Sequence, residues 1–139
     1  MSHTGETFFT SVGCIDGRIQ AVIAKYGQQK FNAKYPDTIT EAGLVGLLTN
    51  KADDTGSLLR ESIKKKILIS VEKHHSKGIV VHGHQECAVL DAVDDKTHRE
   101  DIRKSIEVIR QLSGNKVPVI GVFVKRSVDN PKDLIIEEL

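Results

Sequence analysis

The sequence predicts an α/β protein: a mostly parallel sheet of about four or five strands with helices on its faces. Short apolar, β-prone runs alternate with stretches whose apolar residues recur at helical spacing, the pattern of βαβ units. The run Ile79-Val80-Val81 is apolar throughout, as in a buried strand of a parallel sheet. No internal repeat, low-complexity segment or linker divides the 139 residues, so residues 1–139 are expected to form one domain.

The first strand is expected at Phe8 to Gly13, ending at Cys14. Gly17 turns the chain, and Ile19, Val22, Ile23 and Tyr26 place a helix over Arg18 to Tyr26, with Gly27 as its stop. Gln28 to Pro36 reads as a polar connection whose two aromatics, Phe31 and Tyr35, belong either to the core or to a pocket. Thr38 to Glu41 predicts a second strand running into Ala42-Gly43, and Leu44 to Leu48 a short helical turn. Asn50 to Gly56 reads as a loop, with Asp53, Asp54 and Thr55 as turn residues.

Ser57 is expected to open a long helix to about Lys77, striped by Leu59, Ile63, Ile67 and Val71 and ended by Gly78. Lys73, His74, His75 and Lys77 suit the negative end of that helix, and the two histidines read as a solvated terminus. The third strand is Ile79 to Val81, and Cys87 to Val93 is a candidate short helix. Thr97 with Glu100 has the form of a capping box for a helix to about Leu112, with Ile102, Ile106 and Ile109 inward. Ser113-Gly114-Asn115 breaks it, Val117 to Val124 forms a fourth strand, and Leu134 to Ile136 a fifth at an edge.

Composition narrows the function. Twenty basic residues against nineteen acidic leave a net charge of +1, which directs no strong field at nucleic acid or an anionic membrane. No apolar run approaches the length of a membrane span, and the polar residues Met1 to Thr7 lack the apolar stretch of a signal peptide, so the expected location is cytoplasmic. In that compartment two cysteines are expected to be free, metal-bound or catalytic rather than paired.

The chemistry concentrates in His82-Gly83-His84-Gln85-Glu86-Cys87. A strand entering a turn with histidine and cysteine three apart lets both side chains converge on a soft metal. Zinc needs a third ligand, and the only other cysteine, Cys14, also ends a strand. Ligands in α/β sheets bind beyond the carboxyl ends of strands, so Cys14, the Ala42-Gly43 turn and His84 are expected to gather at one end of the sheet. Two thiolates and one imidazole leave a vacancy, the pattern of a catalytic zinc site. Asp16 can point toward the same opening, to accept a hydrogen bond there or to bind the metal itself, and Arg18 is placed to keep it ionised and oriented rather than to form a mere surface pair. His82 is assigned a structural role, and Gly43 the backbone geometry of the pocket.

Cys14-x-Asp16-x-Arg18 followed by His84-x-x-Cys87, with Glu41-Ala42-Gly43 between them, resembles the zinc motif of the β-class carbonic anhydrases from about Phe8 to Val124. The resemblance implies zinc on Cys14, His84 and Cys87, with Asp16 and Arg18 as the dyad beside it. It implies reversible hydration of carbon dioxide to bicarbonate by zinc-bound hydroxide, in a homodimer or higher homo-oligomer. Some members rest with the aspartate on the metal. This chain carries Ala88 where the family has glycine, Leu44 where its Ala-Gly turn continues with asparagine, and no glutamine before Cys14. With few residues before the first strand, these departures describe a minimal or divergent member. Two further readings keep the same site: hydrolysis of carbonyl sulfide or carbon disulfide, and a catalytically silent zinc protein used for binding or regulation.

Overall fold

The computed structural model describes residues 5–49, 54–90 and 92–139. Among the described residues five strands form one sheet: β1 (Phe8–Gly13), β2 (Tyr35–Thr40), β3 (Ile79–His84), β4 (Val119–Arg126) and β5 (Leu134–Glu138). Their order across the sheet is β2-β1-β3-β4-β5, parallel except for β5, which runs antiparallel along the edge of β4. Helices α1 (Gln20–Phe31), α2 (Leu44–Thr49), α3 (Asp54–Leu68) and α4 (Asp95–Leu112) cover it.

Alternation along the strands builds two cores. Val12, Ile79, Val81, Val119 and Phe123 face the side packed by α2, α3 and α4, where Leu44, Leu48, Ile63, Ile67, Ile102 and Ile109 meet them. Phe9, Val80, Val122 and Val124 face the other side with Ile19, Ile23, Cys14 and Cys87. The expected mostly parallel sheet and its five strands are what the chain adopts.

Several boundaries differ for physical reasons. Helix α1 runs through Gly27, the expected stop, and ends at Asn32, whose φ of 49° is left-handed and whose N–H reaches Gln28 O. Gly27 is there for space: a Cβ on it would lie 2.1 Å from the Phe9 ring. Strand β2 begins at Tyr35 and stops before Glu41, because pairing with β1 from Phe8↔Tyr35 to Gly13↔Thr40 overrides its weak local signal. Part of the expected loop at Asn50 to Gly56, including Asp53, lies outside the described residues; from Asp54 the chain is already helical.

The helix expected to reach Lys77 changes winding instead, with a π-helical turn over Ile69–Lys73 in which His74 N–H bonds Ile69 O. His74 is no solvated terminus: its ring stacks on Phe8 at 4.3 Å and its Nδ1 donates to Asp37 Oδ2 at 2.7 Å. Strand β3 continues past Val81 to His84 because β4 stays beside it to Val124. Among the described residues 87–90 and 92–93 the chain bends and turns without forming the expected short helix. Helix α4 starts earlier than the Thr97–Glu100 pattern suggests, since Asp94 is the cap and its Oδ1 accepts from Thr97 N at 2.7 Å.

Candidate metal centre

The strand order places the site. After β1 the chain moves to one side to form β2, then crosses back over β1 to form β3 on the other side. That reversal leaves a crevice beyond the carboxyl ends of β1 and β3, where ligands bind in open α/β sheets. The two strands pair only through Thr10–Val12 and Ile79–Val81. Beyond that stretch sit Cys14 on one side and His84 on the other.

The structure brings Cys14, His84 and Cys87 together: one ligand atom from each lies within 4.8 Å of the others, and all three residues are buried. The two sulfurs are 3.9 Å apart, far beyond the bond of about 2.05 Å in a disulfide. Two thiolates on a tetrahedral zinc, each about 2.3 Å from it, lie about 3.8 Å apart, so the spacing fits the metal.

Backbone N–H groups reach both sulfurs. Gly43 donates its N–H to Cys14 Sγ at 3.4 Å, from a left-handed conformation (φ +66°) that favours glycine. Burial pushes the Cys87 thiol up, and N–H bonds from Val89 and Leu90 pull against that rise. A bound cation would complete the compensation.

His84 is oriented for the same point. Its Nδ1 lies 2.6 Å from Gln85 O; a carbonyl only accepts, so Nδ1 carries the proton. In a neutral ring Nε2 is then the acceptor, and it is buried with no hydrogen-bond partner among the described residues. A buried orphan lone pair beside two thiols suits a metal ligand.

Asp16 stands beside this group but outside it. Arg18 grips both its oxygens, Nε to Oδ1 at 3.1 Å and Nη2 to Oδ2 at 2.7 Å, while the Arg18 backbone N–H also reaches Oδ1. The Arg18 side chain holds the Asp16 carboxyl down at about 2. Asp16 Oδ2 is 3.9 Å from His84 Nδ1, too long for a hydrogen bond. Arg18 Nη2 also donates to Glu86 O at 3.1 Å, tying the Cys-x-Asp-x-Arg turn to the His-x-x-Cys turn.

A small pocket of about 10 Å³ touches Cys14, His84 and Cys87 and is walled by Leu44, Val45 and Leu90. His82 lines it too, fully buried, with Nε2 3.0 Å from Ser11 Oγ. Burial pushes its pKa down to about 3, so it is neutral, in keeping with a structural role. Phe31 packs toward Phe9 and Tyr35 toward Phe8, away from this pocket.

Three residues near the centre have roles that the sequence pattern does not assign. Gln20 Nε2 bonds the carbonyls of both Cys14 and Asp16, His98 lines the pocket from α4, and Gln85 supplies the carbonyl for His84. Only Gln85 had a sequence signal, its place between the two motif residues; the others arrive through tertiary packing.

A mostly parallel α/β sheet with a candidate cysteine–histidine centre at its switch point is the class these features define. The chain belongs to the family described as "Putative carbonic anhydrase", which matches residues 4–132. Two solved structures share the fold. The tetrameric β-carbonic anhydrases from the filamentous ascomycete Sordaria macrospora match with a TM-score of 0.57 at 15% identity, over 97% of this chain and 82% of that one. The β-carbonic anhydrase CafA of the fungal pathogen Aspergillus fumigatus matches with a TM-score of 0.55 at 13% identity, over 97% of this chain and 76% of that one. No curated protein matches the sequence. The fold is that of the β-class carbonic anhydrases, and the chain is a divergent member.

Proposed function

We propose that this chain, acting as one domain, is a zinc-dependent carbonic anhydrase that interconverts carbon dioxide and bicarbonate. The observation that carries the reading is the buried Cys14–His84–Cys87 group, with the orphan Nε2 of His84 among its donors. Cys14, His84 and Cys87 would hold the metal, which when bound supplies a Lewis acid that makes water nucleophilic near neutral pH. Two thiolates donate charge and oppose that effect; the N–H groups of Gly43, Val89 and Leu90 drain part of it.

Asp16 is ionised and can only accept, so it takes the hydrogen bond of the attacking oxygen and leaves a lone pair facing the carbon. Arg18 fixes both carboxylate oxygens, so this orientation exists before substrate arrives. The apolar walls from Leu44, Val45 and Leu90 suit a small uncharged gas.

The test is stopped-flow carbon dioxide hydration on protein of known zinc content. Wild type should turn over with one zinc per chain. His84→Ala and Cys87→Ala should lose metal and activity together, and Asp16→Asn should keep the metal and lose most turnover. Full zinc with no turnover would overturn the activity while leaving the metal centre in place.

The assembly is read as a homodimer or larger. Exposed apolar Ile15, Leu47 and Val89 support an interface, as do the tetramers formed by the Sordaria macrospora enzymes. Light scattering at micromolar concentration checks it, and a monomer would refute it. Among the described residues no helix is long and apolar enough to cross a membrane, and a cytoplasmic location is the reading kept from the sequence.

A further inference from the structure

We infer that Gln85 is a positioning residue: its side-chain amide clamps the peptide whose carbonyl fixes the tautomer and aim of the His84 imidazole. The inference rests on the reading of His84 as a metal ligand.

Every polar group of Gln85 is committed. Its backbone N–H donates to Val124 O at 3.0 Å, continuing the β3–β4 ladder by one bond past His84. Its Oε1 accepts the backbone N–H of Arg126 at 2.9 Å, a second hold on β4. Its Nε2 donates to Asp95 Oδ2 at 2.8 Å, in the first turn of α4. The fourth group is the carbonyl that receives His84 Nδ1–H.

This carbonyl needs such fixing. It sits where β3 has just ended and where the next residue, Glu86, takes a left-handed φ of 58°. A peptide in a turn swings unless its neighbours are tied down. Asp16 is too far from Nδ1 to take over the bond. The side chain of Gln85 spans from the end of β4 to the start of α4, so one residue transmits the rigidity of two elements to one imidazole. Groups that orient a ligand in this way are worth about 10–100-fold in metal affinity.

Leucine matches glutamine in size and removes both amide bonds. Three measurements apply to Gln85→Leu and to wild type: zinc affinity by chelator competition, the ¹⁵N shifts of the His84 ring in zinc-free protein, and urea unfolding of that form. Wild type should show a single Nδ1–H tautomer. Q85L should bind zinc about 10–100-fold more weakly and show mixed tautomers while remaining folded. Asp95→Ala, which frees one end of the clamp, should move both readouts the same way. Asp95→Asn keeps an acceptor for Nε2 and should restore them to within about threefold of wild type.

If Q85L does not fold, the Asp95 pair decides. Zinc affinity within about twofold of wild type in folded Q85L, or D95A if Q85L is unfolded, together with an unchanged tautomer, would overturn the inference. Wild-type protein that shows the Nδ1–H tautomer yet takes up no zinc would instead overturn the metal reading beneath it.

Discussion

Gly43→Ala separates backbone conformation from crowding at the mouth of the candidate metal centre. Gly43 has φ +66°, and an alanine held there costs about 1–2 kcal/mol. The added Cβ would also sit 3.1 Å from Val89 Cγ1 and 3.2 Å from Val89 Cβ. Val89 is 56% exposed and has room to yield, so the contact is the smaller cost. The variant should therefore lose about 1–2 kcal/mol, seen in urea as a midpoint lowered by roughly 0.5–1 M.

Adding Val89→Ala should recover only the contact, a few tenths of a kcal/mol at about the limit of additivity. Zinc affinity should fall as well, since the Gly43 N–H that meets Cys14 Sγ depends on this conformation. Full recovery in the double variant, or a G43A protein as stable as wild type, would refute the reasoning.

Other perturbations probe the dyad, the sheet edge and a helix cap. Arg18→Ala should cost less than about 1 kcal/mol of stability, because the side chain is 48% exposed. It should nevertheless lower carbon dioxide turnover by about tenfold or more, with Arg18→Lys intermediate because an ammonium lacks the fork that grips two oxygens. Glu137 is held from the usual 4.5 down to about 2, chiefly by its bond to Arg99 and then by that to Lys125. It therefore contributes stability that is fully present above about pH 4.5 and is lost as pH falls toward 2. Urea titrations across that window should show a slope that Glu137→Gln flattens, with about 1 kcal/mol lost at pH 7. Asp94→Ala removes the acceptor for Thr97 N and should lower the urea midpoint in the same assay.

The sheet and the Cys14–His84–Cys87 cluster were legible in the sequence because they rest on short-range signals. Runs such as Ile79-Val80-Val81 announce buried strands, and Cys14, His84 and Cys87 are scarce residue types at strand ends. Boundaries set by tertiary contact were not legible. Gly27 looks like a helix stop until the Phe9 ring fills the space where its side chain would be. His84 looks like part of a turn until β4 is seen to accompany β3 to Val124. The capping signature at Thr97 was one turn late because Asp94, three residues earlier, offers the oxygen that meets Thr97 N. The role of Gln85 depends on partners at Asp95 and Arg126, which no local pattern connects.

The brief pairing of β1 with β3, through three residues each, is expected to bear on the order of events as the chain folds. His84 and Cys87 are neighbours in the chain, but Cys14 is 73 positions from Cys87. Closing that span in an unfolded chain costs roughly 4 kcal/mol of entropy. Zinc meeting the unfolded chain would thus find two ligands, and the third arrives only once the long crossover has laid β1 beside β3. Such a late-formed bond would act as a latch rather than a nucleus. Zinc is expected to slow unfolding while leaving the refolding rate nearly unchanged, which stopped-flow chevrons with and without the metal would show.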